Sequence, residues 1–116
     1  MTNKEKKYLS DITTAIEKLS IHLTGINSEE AYVRNITVKS AVERELEIIG
    51  EAMNNLLNIA RDIQITKPQR IISMRNRLIH GYDNIDDRLV LQVIKDHIPL
   101  LKAEVEKLLE EDNSHL

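Results

Sequence analysis

The sequence predicts an all-α protein, an up-and-down bundle of four or five helices. Apolar residues recur at helical spacing along most of the 116 residues, and strand-like alternation is almost absent. With three Gly and two Pro, the chain has too few turn residues for a sandwich or a barrel. It contains no Phe and no Trp, so Leu, Ile, Val, Ala and Met must form the core. The length suits one domain spanning residues 1–116.

The first helix is predicted over about residues 4–26, because one apolar stripe runs along it: Tyr8, Leu9, Ile12, Ala15, Ile16, Leu19 and Leu23. Residues 25–28 then indicate a helix stop followed by a new N-cap at Ser28. Glu29 and Glu30 favour a helix start there, because acidic side chains stabilise a helix N-terminus.

A long helical region follows, over about residues 31–59. Its first part, up to Ile36, is less regular and favours a separate short helix. From Val38 onward the spacing is regular, with a stripe formed by Val42, Leu46, Ile49, Met53 and Leu57. Gly50 lies inside this helix, where glycine costs about 1 kcal/mol relative to alanine. We therefore expect a neighbouring backbone to approach closely at Gly50.

Residues 63–68 are predicted to form a linker, with Thr66 as the cap of the next helix. Pro68 is expected in the first turn of that helix, where its missing N–H is harmless. The helix is predicted to end at about His80, with Gly81 in the left-handed conformation just beyond it.

The polar residues 83–87 are expected to form a turn and to supply caps for the last helix. The apolar positions of that helix are Leu89, Val90, Val93, Ile94, Ile98, Leu101, Val105, Leu108 and Leu109. Pro99 is expected to kink it, and about residues 110–116 are expected to form a frayed tail.

Composition excludes several kinds of site. The chain has no cysteine, which rules out disulfides, thiol nucleophiles, Cys zinc sites and iron–sulfur clusters. The longest uninterrupted apolar run, residues 98–101, is too short to span a membrane, and no apolar signal region follows the first residues. We therefore expect a cytoplasmic protein with no membrane partner. The net charge of −3 argues against a general nucleic-acid coat but leaves room for a local basic site.

Such a basic site is predicted between Arg61 and His80. This segment has one acidic residue, Asp62, and five basic ones, so its local charge is five minus one, or +4: Arg61, Lys67, Arg70, Arg75 and Arg77. A positive segment in an acidic protein focuses a phosphate ligand onto one place. From charge alone, a basic helix that pairs with the acidic helix before it is an equally good interpretation.

Within that segment, Arg75, Asn76 and His80 are the candidate reactive residues. His80 falls in the last helical turn, where the helix dipole favours a positive charge, and histidine is the side chain most often used for proton transfer. Arg75 keeps its charge, and its forked guanidinium matches a phosphate at two points. Asn76 and His80 share a helix face, whereas Arg75 and His80 are about 140° apart. Either the Arg75 side chain reaches round the helix or a second subunit completes the site. On general grounds, a lone helical histidine is more often a structural or surface residue.

Two blocks of sequence stand out. The first is Arg75-Asn76-x-x-x-His80-x-Tyr82, written here as Arg-Asn-Arg-Leu-Ile-His-Gly-Tyr. The second spans residues 41–52, Ala-Val-Glu-Arg-Glu-Leu-Glu-Ile-Ile-Gly-Glu-Ala. Together they resemble the HEPN superfamily, and more narrowly its HepT-like toxins. The helix pattern fits from about Tyr8 to Leu109, so the resemblance implies a HEPN-like bundle over nearly the whole chain.

The resemblance implies a metal-independent endoribonuclease of a type VII-like toxin–antitoxin pair, with no cofactor and with a cleft at a homodimer interface. Arg75 would hold the scissile phosphate, and His80 would act as general base or acid while the ribose 2′-OH attacks. Asn76 would orient His80 or the phosphate. The supporting residues at the cleft would be Asn76, Arg77, Glu47 and Glu51. Because the nucleophile is a 2′-OH, the substrate would be RNA, with tRNA among the candidates, and not DNA.

The resemblance also implies a separate role for Tyr82. An MntA-like nucleotidyltransferase antitoxin would attach AMP to this tyrosine and so silence the toxin. Without the resemblance, Tyr82 would be interpreted as a side chain packing over the helix end. A second hypothesis has the same fold but no catalytic activity. In it, the chain is a helical RNA- or nucleotide-binding subunit of a nucleotidyltransferase complex.

The remaining polar candidates are expected to be structural. Glu43, Glu47 and Glu51 lie on one helix face and could imitate a carboxylate metal site, but no glutamate here has a histidine three residues on. We expect these glutamates to form salt bridges with Arg44 or with the basic segment. The residues expected at the surface or in packing are His22, His97 and His115, and those expected in the core or an interface are Tyr8 and Tyr32.

Overall fold

The computed structural model describes residues 1–113, with only the backbone of Tyr82. These residues contain six α-helices. The helices are α1 (Asn3–His22), α2 (Glu29–Arg34), α3 (Ile36–Ile59), α4 (Pro68–His80), α5 (Asp87–Asp96) and α6 (Ile98–Asn113), with a short 3-10 turn at Tyr82–Asn84. No strand occurs in residues 1–113, which confirms the all-α prediction. There are more helices than expected because the predicted last helix is divided into α5 and α6.

Helix α3 lies at the centre of the bundle. It packs along α1 on one side and along α4 on the other, while α6 packs on α1 and α5 packs on α6. The apolar stripes predicted for α1 and α3 are buried where these helices meet, at Leu9, Ile12, Ile16, Leu19, Val42, Leu46, Ile49 and Met53. Because α4 packs along α3, the central helix sets where the side chains of α4 lie.

The predicted boundaries around α2 are confirmed, apart from the end of α1. Helix α1 stops at His22, before a turn in which Gly25 adopts a left-handed φ of 85°. Ser28 caps α2 as expected, because its Oγ accepts a hydrogen bond from Ala31 N–H at 3.1 Å. Only Asn35 separates α2 from α3, and its Oδ1 caps α3 by accepting from Val38 N–H.

Thr66 is not the cap of α4, contrary to the sequence prediction. The residue at the cap position is Lys67, which has a left-handed φ of 46° and makes no side-chain capping bond. Thr66 instead contacts α6: its backbone N–H and its hydroxyl both donate to the carboxylate of Glu104, at 2.9 Å in each case. The loop before α4 is thus anchored to α6, while Pro68 begins α4 as predicted.

The end of α4 is where the sequence placed it, but its geometry differs. His80 is the last helical residue, and Gly81 N–H donates to Arg77 O at 2.8 Å. Gly81 has a φ of −131°, so the predicted left-handed conformation is wrong. The chain enters the 3-10 turn directly, with Asn84 N–H donating to Gly81 O at 2.9 Å. A Cβ at Gly81 would lie 3.2 Å from Arg77 O, which gives a steric reason for glycine.

The predicted last helix is interrupted at His97. Asp86 caps α5, as expected of the polar turn, by accepting from Arg88 N–H at 3.0 Å. Helix α6 then begins with Ile98 and Pro99, so the proline lies in a first turn and not at an internal kink.

The frayed tail predicted for about residues 110–116 is wrong for residues 110–113, which continue α6. The Asp112 carboxylate forms an ion pair with Lys6 Nζ at 3.0 Å and lies 3.6 Å from the N-terminal ammonium group. The hydrogen bond from Lys6 lowers the pKa of Asp112. These contacts hold the last turn of α6 against α1. Residues 114–116, with His115, lie outside the described part of the chain.

We expect the buried His97 to give the fold a pH dependence. Burial lowers the pKa of His97 from its usual 6.5, Arg70 and Lys67 lower it as well, and Glu104 raises it. The unfolded chain therefore binds this proton more readily, so the free energy of unfolding should decrease as the pH falls below about 6.5. Urea unfolding at about pH 7.5 and about pH 5.5 measures the effect. His97→Leu should reduce the difference, and an unchanged difference would contradict this assignment.

Candidate functional site

The arginines of α4 lack acidic partners in the part of the chain that the structure describes. Arg70, Arg75 and Arg77 form no ion pair with any carboxylate of residues 1–113. Glu47 of α3 pairs instead with Arg44 of its own helix, at 3.4 Å. The alternative interpretation, in which the acidic helix α3 neutralises the basic helix α4, is therefore wrong for residues 1–113. The positive charge of α4 is left available for an anionic ligand.

Arg75 is held against α3 at Gly50. A Cβ built on Gly50 would lie 2.9 Å from Arg75 Cγ and 2.9 Å from Ile71 O, and closer still to Arg75 Cβ. No side chain fits there without displacing α4. The close approach expected at Gly50 is confirmed, and it involves the stem of the arginine as well as a backbone carbonyl. Gly50 therefore allows Arg75 to lie half-buried between the two helices.

The Arg75 guanidinium is only partly satisfied. Its Nη1 donates to Asn76 Oδ1 at 2.9 Å. Its Nε is buried and has no hydrogen-bond partner within the described residues. A buried donor without a partner costs free energy and is uncommon outside functional positions. The remaining N–H groups of the fork can bind a phosphate in the bidentate manner typical of arginine.

His80 is exposed, and no hydrogen bond orients its imidazole within residues 1–113. Asn76 lies one turn earlier on the same helix face, but its side-chain oxygen is taken by Arg75. Helix α4 is uninterrupted from Pro68 to His80, so the expected angle of about 140° between Arg75 and His80 applies. In one chain, these two side chains therefore leave α4 in different directions.

The acidic side of the predicted site lies on α3. Glu47 is half-buried and Glu51 is exposed, without an ion pair among the described residues. The Arg44–Glu47 pair confirms the expected salt bridge for Glu47, whereas the salt bridges expected for Glu43 and Glu51 are absent within residues 1–113. Burial raises the pKa of Glu43, and Asp87 and Glu47 add to this effect while Lys39 opposes it. No group of three His, Asp or Glu residues within 1–113 is arranged to hold a metal ion.

Tyr82 begins the 3-10 turn that follows α4, one residue after Gly81. Its side chain lies outside the described part of the structure. The next two residues of the turn, Asp83 and Asn84, are exposed. The predicted modification site is thus adjacent in sequence to the exposed end of α4.

Two other histidines have partly unexpected surroundings. His97 is 2% exposed, so it is a packing residue as predicted, but its Nε2 has no hydrogen-bond partner in residues 1–113. His22 Nε2 lies 2.8 Å from Oε2 of Glu45, a buried carboxylate on α3. This pair could not be predicted from local sequence patterns, because the two residues are 23 positions apart. Tyr32 is fully buried and Tyr8 packs against the core, both as expected.

No helix within residues 1–113 combines the length and the apolar character needed to cross a bilayer.

Comparison with known proteins gives consistent matches along the chain. A family model described as Ribonuclease HepT-like matches residues 12–108. A Thermococcus cleftensis protein named probable ribonuclease HepT is 38% identical over 109 residues, covering 93% of this chain and 98% of the relative. A Caldanaerobacter subterraneus subsp. tengcongensis protein, provisionally named an RNase, is 33% identical over 92% of this chain and 96% of the relative. A Methanocaldococcus jannaschii protein with the same kind of name is 34% identical over 91% of each chain. No solved structure gives a significant match.

Proposed function

Because the chain belongs to the HepT-like ribonuclease family, we propose that it is an endoribonuclease toxin that cuts RNA without a metal ion. The observation that supports this most directly is that the arginines of α4 form no ion pair within residues 1–113 and lie next to an exposed histidine at the end of the helix. A phosphodiester needs such a cation, and a 2′-OH nucleophile needs such a base.

In the proposed reaction, the His80 imidazole accepts the proton of the ribose 2′-OH as the 2′-oxygen attacks phosphorus. The bond from phosphorus to the 5′-oxygen breaks, and that oxygen takes up a proton from an imidazolium. The products are a 2′,3′-cyclic phosphate and a 5′-hydroxyl, so no water is consumed in this step. Arg75 binds the phosphate and stabilises the negative charge that develops on its oxygens. Asn76 keeps the Arg75 fork in position.

We propose that two copies of the chain form the cleft. Arg75 and His80 diverge on one α4 helix, so a facing copy brings an arginine of one protomer towards a histidine of the other. Ile79, which lies between them in sequence and is 40% exposed, would be covered by such a contact. With two histidines in one cleft, one can act as base and the other as acid.

The proposed partner is an MntA-like nucleotidyltransferase antitoxin that attaches AMP to Tyr82. The added phosphate and adenine would lie next to the end of α4 and obstruct the basic cleft. The site of action is expected to be the cytoplasm.

The test of the activity is cleavage of RNA by the purified protein in EDTA. We expect products with 2′,3′-cyclic phosphate ends, and no cleavage of DNA of the same sequence. Loss of cleavage in EDTA that Mg²⁺ restores would contradict the metal-independent mechanism.

For the modification, we expect co-expression with the partner nucleotidyltransferase to increase the intact mass by one or more AMP groups. Tyr82→Phe should remove this increase while leaving RNA cleavage intact, because the phenol is not assigned a role in the reaction. A mass increase that persists in Tyr82→Phe would place the modification on another residue.

A further inference from the structure

A groove runs between α4 and α5. It consists of two adjoining cavities of about 260 and 290 Å³, which share Met74, Arg77 and Leu89 as lining residues. Its floor is apolar, with Leu78 and Val90 below the first cavity and Val93 below the second. Helix α5 packs on α6 and not closely on α4, which leaves the groove open.

The groove begins next to the candidate catalytic histidine. Arg77 precedes His80 by three residues, a spacing that puts two side chains beside each other on a helix. Gly81, the residue after His80, lines the first cavity. A ligand whose phosphate lies at His80 can therefore extend into the groove within about one helical turn.

The rim of the groove is positively charged. Arg70 and Arg77 line it, both are exposed, and neither has a carboxylate partner in residues 1–113. The acidic residue at the opposite end, Asp86, is engaged in capping α5. Asn84 at that end has no side-chain hydrogen bond among the described residues and offers both a donor and an acceptor.

The dimensions and chemistry match a nucleobase. The first cavity, of about 260 Å³, is large enough for a planar base together with part of its ribose. Met74 provides a thioether, which contacts aromatic rings favourably, and the Arg77 guanidinium can stack on a ring or bind the adjacent phosphate. A purely apolar protein segment in the groove would leave both arginines without an anion.

We propose that the α4–α5 groove binds one nucleotide of the RNA strand beside the scissile phosphate. The base lies on the apolar floor, its edge faces Asn84, and the flanking phosphates lie at Arg77 and Arg70. This inference rests on the proposed function for its substrate class. It makes Asn84 the residue that selects among bases.

The test measures RNA binding in a His80→Ala background, with fluorescence anisotropy and short single-stranded homopolymers of A, C, G and U. Leu89→Glu puts a carboxylate in the groove. Position 89 lies in the first turn of α5, where the helix dipole favours an acidic side chain. The control for the added charge is Leu100→Glu, at an exposed leucine of α6, and urea unfolding of both variants controls for the partial burial of Leu89. A second pair uses exposed serines, with Ser73→Glu in the groove and Ser10→Glu on α1.

We expect Leu89→Glu and Ser73→Glu to raise the Kd for RNA by about tenfold, and both controls to change it by less than about twofold. Asn84→Ala should reduce the difference in Kd between the tightest and weakest homopolymers. Equal Kd values for Leu89→Glu and Leu100→Glu would overturn the proposal. So would groove variants that keep their RNA affinity but no longer co-purify with the co-expressed nucleotidyltransferase, because the groove would then bind protein.

The failure of this inference is distinguishable from that of the proposed function. If the wild type cuts RNA in EDTA and the groove variants bind RNA normally, the nuclease function stands and RNA binding in the groove is disproved. If the wild type cuts no RNA but the groove variants lose RNA affinity, the nuclease function is disproved and RNA binding in the groove stands.

Discussion

His80→Ala is expected to slow RNA cleavage by about two to four orders of magnitude, the range typical of losing a general acid or base. The side chain is exposed and makes no hydrogen bond in residues 1–113, so its removal should leave the free energy of unfolding nearly unchanged. Cleavage is measured on labelled RNA in EDTA, and unfolding is measured by urea titration.

A suitable companion is Arg75→Lys. It keeps the positive charge but loses the planar fork, so a large fall in rate would show that bidentate binding of the phosphate matters. Arg44→Ala is the control, because Arg44 is an exposed arginine that is already paired with Glu47. If wild type, His80→Ala and Arg75→Lys all leave RNA intact, the non-catalytic subunit becomes the correct hypothesis. If all three cut RNA equally, the nuclease site lies elsewhere.

Gly50→Ala is expected to lower both the free energy of unfolding and the cleavage rate. At an ordinary helical site the same substitution would raise the free energy of unfolding. Glycine to alanine within a helix usually stabilises by about 1 kcal/mol. Here the new Cβ would lie 2.9 Å from Ile71 O and would displace Arg75, so we expect destabilisation by about 1–3 kcal/mol. Because a displacement of this size misplaces a phosphate-binding group, cleavage should fall by about a hundredfold.

The double variant Gly50→Ala, Arg75→Ala separates these two consequences. The stability loss should persist, since Ile71 O and the Arg75 Cβ position are still occupied. The activity loss should not add to that of Arg75→Ala, because Gly50 acts through the arginine. Asn58→Ala, at an exposed site on α3, controls for helix propensity. A Gly50→Ala protein that is more stable and fully active would disprove the role of this contact.

Local patterns predicted the helices well because each depends on nearby residues. The caps at Ser28 and Asp86 and the start of α4 at Pro68 follow from side chains within a few positions of the helix they begin. Two of the errors arose where distant contacts decide. Thr66 is bound by Glu104, which is 38 residues away, and the last turn of α6 is held by Lys6. Neither contact has a signal in its own segment.

The same distinction applies to the site. Arg75, Asn76 and His80 could be selected from one short stretch of sequence, and the glycine inside α3 indicated a close contact. That the contact is with Arg75 could not be predicted, because it depends on how α4 lies along α3. The α4–α5 groove is likewise formed by two separate helices, so periodicity alone could not reveal it.

Because the arginines of α4 form no ion pair among residues 1–113, the proposed function has a consequence for how RNA would reach the protein. A chain with a net charge of −3 repels a polyanion at long range, while α4 attracts it at short range. At physiological ionic strength, counterions screen charges over about 8 Å, so the long-range repulsion fades and the local attraction persists. Counterions released from RNA would then contribute to binding only where phosphates meet α4. Under the proposed function, an acidic protein with this charge distribution would avoid indiscriminate adhesion to cellular RNA and would bind it where α4 is exposed.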